Sequence, residues 1–222
     1  MHSVYSVEQV RAAEAVLMAR LPDGVLMQRA AHALSAHCVQ LLQDRLLGRV
    51  YGARIVLLVG GGNNGGDALF AGARLAGRGA KVTALVVDPA RVHPAGLTAL
   101  VAAGGRASGP DPRLLTDADL VVDGLLGLGG RGGLRDAAID LADAARDAFT
   151  VAVDLPSGVD ADTGAAGEHV VRANVTVTFG ALKPGVVVGG GADLAGEVRL
   201  VDIGLSLADA QSWVLEAHDV GA

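Results

Sequence analysis

Apolar and polar positions along this chain alternate between two rhythms. Short apolar runs, rich in β-branched residues and closed by glycine or aspartate, read as strands. They are Arg54–Val59 (R-I-V-L-L-V), Lys81–Val87, Leu120–Asp123, Phe149–Val153, Val175–Phe179 and Glu197–Ile203, with a weaker one near 105–108. Between them the spacing turns helical. Ser6-Val7-Glu8-Gln9 is a capping box that opens an amphipathic helix through Arg20. Asp23 is expected to start a second helix towards Leu47, closed by Gly48, and Asp67 to cap a third that begins at Ala68. Residues 89–103 and 134–147 read as further helices, and 180–196 as a loop. Strands alternating with helices predict an α/β fold with a mainly parallel sheet and helices on both faces.

Length and composition narrow this picture. The 222 residues suit one sizeable domain, and 51% apolar residues are ample for its core. The 32 glycines are about twice the usual share of roughly 7%, so close turns and close backbone approaches are expected. A net charge of −6 without a Lys/Arg cluster gives no footprint for nucleic acid. A lone Cys38 excludes a disulfide framework. No apolar run reaches the ~18 residues of a membrane span, and the N-terminus lacks a signal-peptide pattern. A soluble, cytoplasmic protein is expected, with no nucleic-acid or membrane partner.

The candidate chemistry sits where strands end. Val59-Gly60-Gly61-Gly62-Asn63-Asn64-Gly65-Gly66-Asp67 follows the first strand and precedes a helix, the geometry that brings backbone N–H groups to a phosphate. It contains a literal G-x-G-x-x-G, which alone is weak; the paired asparagines and Asp67 set it apart. A second glycine loop, Gly124 to Gly133, follows Asp123 and carries Arg131, which is either a phosphate contact or a solvated charge. Asp123 itself reads either as a turn former or as a site carboxylate. Asp154-Leu155-Pro156-Ser157-Gly158 is a third strand-to-turn junction, and Asp154 is a candidate general acid/base. Ser157 lacks the G-x-S-x-G setting of a hydrolase nucleophile. Asp160 to Gly164 begins like a calcium loop, but Val171 stands where the closing glutamate belongs, so a turn is expected. The six histidines show no zinc spacing. Lys183 faces either the pocket or solvent.

Together these stretches resemble the NAD(P)H-hydrate epimerase family, also called the YjeF N-terminal domain family. The carrying residues are Gly62-Asn63-Asn64-Gly65-Gly66-Asp67, Val122-Asp123 with Gly127-x-Gly129, Val153 through Gly164, and Thr178-Phe179-Gly180-Ala181-Leu182-Lys183-Pro184-Gly185. Leu26 to Ala31 also looks like the family's helix. The resemblance implies a Rossmann-like three-layer αβα sandwich, commonly a homodimer, that interconverts the R and S forms of hydrated NADH and NADPH. It implies a bound potassium ion held by Asn64, Asp123 and Ser157, oxygen ligands suited to a hard cation. It implies that Asn63, Asn64, Gly65, Gly66 and Asp67, with Gly127, Leu128, Gly129, Gly130, Arg131, Gly132 and Gly133, hold the hydrated dinucleotide, with Asp154 beside the reacting ring.

The chain departs from the family in two places. Ala68 replaces a glycine, and Leu126-Gly127-Leu128-Gly129 stands where relatives have Phe-Gly-Thr-Gly, with no proline after Arg131. The expected organisation is an epimerase domain over 1–215 and a tail, 216–222, resembling the entry to a fused C-terminal dehydratase. Two alternatives stay open. Gly60-x-Gly62-x-x-Gly65 with Asp88 fits an NAD-dependent oxidoreductase, and the fold also serves non-catalytic nucleotide- or RNA-associated modules.

Overall fold

The computed structural model describes residues 3–128 and 133–207. Seven strands form one sheet, β1 (Arg54–Val59), β2 (Lys81–Val86), β3 (Arg106–Ser108), β4 (Leu120–Gly124), β5 (Thr150–Val153), β6 (Val175–Phe179) and β7 (Glu197–Val201). Every pairing is parallel, in the spatial order β3-β2-β1-β4-β5-β6-β7. A fully parallel sheet needs cover on both faces, and the sequence supplies it. Ile55, Leu57 and Val59 of β1 pack with α2 (Val25–Arg45), α3 (Asn63–Ala76) and Leu100 of α4 (Pro94–Ala102). The intervening Val56 and Leu58 pack on the opposite side with Ala138, Leu141 and Ala142 of α5 (Ala137–Ala144). A third cluster joins Val4 and Val7 of the N-terminal segment to Leu182, Val186 and Leu194 at the β7 side. Among the described residues no helix is long and apolar enough to cross a membrane.

Most elements fall where their patterns predict, with boundaries moved by packing. The capping box holds: Gln9 N–H donates to Ser6 Oγ (3.3 Å), and Ser6 N–H to Gln9 Oε1 (2.9 Å), opening α1 (Val7–Met18). The second helix is capped by Gly24 in the left-handed region rather than by Asp23. The helix expected over 89–103 starts at Pro94, where His93 Nδ1 accepts from Gly96 N–H. That expected over 134–147 shortens to α5. The stretch 180–196 is not a loop: it winds into α6 (Pro184–Val187) and α7 (Gly189–Ala195).

The largest correction concerns α3. It begins at Asn63, so Asp67 lies inside the helix and caps nothing; the N-cap is Gly62, at φ 94°. Glycine propensity argues against a helix through Gly65-Gly66. Contact overrides it, because a Cβ on Gly65 would stand 2.2 Å from the Gly60 carbonyl oxygen. Only glycine lets α3 press so closely on the end of β1.

This contrast has a measurable consequence. Gly65→Ala is expected to destabilise the fold by about 2–3 kcal/mol through that backbone clash. Gly77→Ala, at φ −61° with its nearest neighbour 3.5 Å away, is expected to stabilise it by about 0.4–1 kcal/mol by restricting the unfolded chain. Urea denaturation of both variants reads the opposite signs.

Candidate active site

Strand order reverses between β1 and β4, and in open parallel sheets the crevice at such a point, beyond the carboxyl ends, is where ligands bind. Both glycine loops leave the sheet there. They are zipped together by contacts that tolerate no side chain. Gly60 N–H donates to Gly124 O (3.1 Å), a Cβ on Gly60 would meet Leu125 O at 1.9 Å, and one on Gly127 would meet Asn64 Oδ1 at 2.2 Å. Asn64, in the first turn of α3, reaches across the seam. Its Nδ2 donates to Val153 O (2.6 Å) and Leu126 O (3.0 Å), tying the helix to the ends of β4 and β5.

Asp123 is buried at the end of β4 and meets Ser157. Ser157 N–H donates to Asp123 Oδ2 (2.8 Å) and its hydroxyl to Oδ1 (2.6 Å), and Leu125 N–H also donates to Oδ1 (3.2 Å). Leu126 N–H in turn donates to Ser157 Oγ (2.9 Å). No cationic side chain pairs with Asp123 among the described residues. Burial raises its carboxyl to about 6, against the opposing pull of the Ser157 hydroxyl and two backbone donors. Asn64 and Ser157 both contact Leu126, and Asp123 bonds Ser157, so the three residues expected as ion ligands lie close together. The donor set there is all oxygen, apart from the amide nitrogen, with one carboxylate. It suits a hard monovalent cation, which would balance the buried charge. Among the described residues no group of three or more His, Cys, Asp or Glu side chains is arranged to hold a metal ion by itself.

Asp154 ends β5 in the left-handed region, φ 69°, unusual outside glycine and worth reading functionally. A tight turn, Leu155 N–H to Val153 O (2.9 Å), holds it there. Its Oδ1 receives Thr178 Oγ1 (3.1 Å), Phe179 N–H (3.3 Å) and the ammonium of Lys183. Lys183 Nζ also bonds Thr178 Oγ1 (2.9 Å) and Phe179 O (3.0 Å), and only 1% of the residue is exposed. Of its two readings, the solvated one fails. All three donors crowd onto Oδ1, which leaves Oδ2 as the oxygen for other chemistry.

Asp67, from α3, is equally buried, and its Oδ1 has no partner. Burial first, then the charges of Asp154 and Glu14, push its carboxyl well above the ordinary range. Glu14 belongs to α1, which crosses this edge of the sheet. Tyr5 N–H donates to Leu182 O (2.9 Å), Val7 N–H to Asp162 Oδ1 (2.8 Å), and Arg11 to Leu128 O (3.0 Å).

The structure thus brings Asn64, Gly65, Gly66, Asp67, Asp123, Asp154 and Ser157 to one edge. Asn63 is exposed at the start of α3. Gly127 packs on Asn64, and the Leu128 side chain joins the third cluster. Gly129, Gly130, Arg131 and Gly132 lie outside the described residues, as does the tail 216–222. A cleft of about 360 Å³, lined in part by Leu126, Gly127, Gly133, Gly158 and Asp160, flanks the second loop; Asn64, Asp67 and Asp154 do not line it. Asp160 holds Asp162 N–H (3.1 Å) and Thr163 N–H (2.9 Å) as a turn, as expected in place of a calcium loop. Asp88 likewise accepts from Ala90 N–H (3.0 Å). Cys38 is buried and its thiol is pushed up to about 12 by burial. Sequence reasoning missed Glu14. The signal was present, because Glu14 follows Val7 and Val10 at i+7 and i+4 on the buried stripe of α1.

Comparison with known proteins adds an independent line. The family described as YjeF-related protein N-terminus matches residues 23–185. A protein of Mycobacterium leprae named bifunctional NAD(P)H-hydrate repair enzyme Nnr is 46% identical over all of this chain, which spans 46% of its length. A Microbacterium testaceum protein named NAD(P)H-hydrate epimerase is 41% identical over 98% of this chain and 86% of its own. A yeast protein solved by crystallography aligns with a TM-score of 0.75, covering 95% of this chain and 97% of that one; at 17% identity the likeness shows the fold.

The burial of Asp123 sets a pH dependence. Its folded value, about 6, lies above the unfolded ~3.9, so its contribution is full below the unfolded value and is lost as pH rises through the folded one. In cation-free buffer, wild type is expected to lose about 2–3 kcal/mol relative to Asp123→Asn between about pH 4 and pH 7. Parallel thermal melts give that difference; equal slopes would remove the assignment.

Proposed function

The chain belongs to the family of YjeF-related protein N-termini, and from that premise we propose that it is an NAD(P)H-hydrate epimerase domain. It would interconvert the R and S forms of hydrated NADH and NADPH. The observation that carries this reading is the convergence of Asn64, Asp123, Asp154 and Ser157 at the switch point of the sheet. The chain spans about half the length of the bifunctional repair enzymes it matches, and a fused dehydratase half in the native protein is part of the proposal. A homodimer is part of the same proposal.

In this reading the first loop and the start of α3, Asn63 to Asp67, hold the phosphate-bearing part of the dinucleotide, helped by residues 127–133. Asn64, Asp123 and Ser157 would hold a potassium ion. That ion would supply a positive charge against the buried Asp123 and knit the two glycine loops to the serine turn. Asn64 would turn its amide so that Oδ1 joins Leu126 O and Val153 O, which already converge on its nitrogen. Asp154 presents Oδ2 to the reacting ring.

The chemistry needs little more. Hydrated nicotinamide carries a hydroxyl beside the ring nitrogen. When that hydroxyl is protonated, the C–O bond breaks as the nitrogen lone pair forms a C=N bond, and water leaves. Water then adds from the other face, the electron pair returns to nitrogen, and the surplus proton passes to a carboxylate. Proton transfer is assigned to Asp154 in this proposal, and its backbone at φ 69°, the kind of feature that active sites retain, supports the reading.

Chromatographic separation of R and S hydrates tests the reading. The protein is expected to speed their equilibration, more so with potassium than with tetramethylammonium. Asp154→Asn, which keeps an oxygen for Lys183, is expected to lower the rate about 10²-fold or more. Because it breaks a buried charge pair, its thermal melt is measured alongside. Oxidation of NADH with a substrate panel, and no epimerisation, would move the assignment to the oxidoreductase alternative.

A further inference from the structure

Proton transfer at this edge raises a question that Asp154 alone does not answer. One group must give a proton to the leaving hydroxyl and another must take one back. Asp154 has Oδ1 saturated by an ammonium, a hydroxyl and a backbone N–H. That oxygen is fully engaged. Asp67 has the opposite surroundings: it is buried, it touches no cation, and its Oδ1 finds no hydrogen-bond partner. A carboxylate in that position would be an uncompensated buried charge, whereas a carboxylic acid there is a neutral donor with its proton unspent. Two carboxyls in such unequal surroundings, one bonded by an ammonium and one with an unpartnered oxygen, can serve as an acid/base pair.

We infer that Asp67 is the proton donor that partners Asp154, and that Glu14 on the inner face of α1 is a positioning residue for Asp67. The inference rests on the epimerase reading and assigns the acid within it. Asp67 gives its proton to the ring hydroxyl, the C–O bond breaks, and water departs. After water re-adds from the other face, Asp154 takes the excess proton, and exchange with solvent restores both groups.

Glu14 acts through charge. It sits one turn beyond Val10 on the buried stripe of α1, and Arg11, three residues before it, hydrogen-bonds the Leu128 carbonyl of the second loop. Its own carboxyl is raised by burial and by Asp154, and lowered by Lys183 and Arg11. The charges acting on Asp67 are therefore Asp154, from the β5 end, and Glu14, from α1; Lys183 and Arg11 act on Glu14, and the His93 ring packs beside Gly66.

Two readouts test this, one of them independent of turnover. Difference infrared spectroscopy at neutral pH is expected to show a protonated carboxyl band in the wild-type protein that Asp67→Asn removes. Asp67→Asn is expected to fold, since an amide replaces a neutral acid of the same shape, and to epimerise about 10²-fold or more slowly. Glu14→Gln is expected to move the alkaline limb of the pH–rate profile, and the titration of the band, to lower pH. A band unchanged in Asp67→Asn would overturn the assignment even if the protein proved to have another activity. An Asp67→Asn variant within about threefold of wild type between about pH 5 and 9 would overturn it while leaving the epimerase reading intact.

Discussion

One buried ammonium organises the carboxyl edge of this sheet. Lys183 Nζ bonds Asp154 Oδ1, Thr178 Oγ1 and Phe179 O, and so joins the end of β5, the end of β6 and the start of α6 at one atom. A buried pair of this kind adds little net stability over a well-packed apolar replacement, yet leaving either partner alone costs several kcal/mol. Its value is therefore in geometry. It fixes the Asp154 carboxyl in a backbone conformation that only strong side-chain bonding sustains, at φ 69°. The segment just before it, Leu182, is where the N-terminal chain docks, through Tyr5 N–H to Leu182 O and the Val4–Leu182 bridge. α1 is thereby carried across the site, with Glu14 on its inner face.

The second constraint is steric. The two glycine loops approach each other so closely that Gly60, Gly65, Gly124 and Gly127 would each place a Cβ 3.0 Å or less from a neighbouring atom. This closeness lets Asn64 span from α3 to the carbonyls of β5 and the second loop. The glycines thus do more than free a backbone to meet a phosphate. They let an asparagine and a serine from separate elements meet at Leu126, with Asp123 bonded to that serine.

Much of this was legible in the sequence, and the failures have physical causes. The alternation of Ile55, Val56, Leu57 and Leu58 gave the strand and its two faces, because a sheet covered on both sides needs apolar residues at every position. The strand-end pattern pointed to Asp123 and Asp154, and the family resemblance raised Asp123 and Ser157 above a turn reading. Asp67 was assigned to a cap because local propensity disfavours glycine within a helix, and the close packing that overrides propensity cannot be seen one segment at a time. Helices α6 and α7 were read as loop for the same reason: six glycines between 180 and 196 hide elements that tertiary contact stabilises. Lys183 stayed ambiguous because its partner lies 29 residues away.

The distribution of charge explains why such a glycine-rich, aromatic-poor chain still needs a large core. Asp67, Asp123 and Asp154 are all buried at one edge, with Glu14 close by and Lys183 the sole buried cation among the described residues. Each carboxyl meets the cost of burial by a different route. Asp154 is paired with an ammonium, Asp123 is wrapped in three hydrogen bonds and carries an elevated pKa, and Asp67 is raised furthest from the ordinary carboxylate range with one oxygen unpartnered. Three unequal solutions within one crevice are hard to attribute to stability, since apolar residues of similar size would fold more readily. They are what the proposed proton transfer would require, because a site that both gives and accepts a proton cannot hold its carboxyls in identical surroundings. The three apolar clusters that enclose the sheet supply the rigidity that keeps those surroundings distinct.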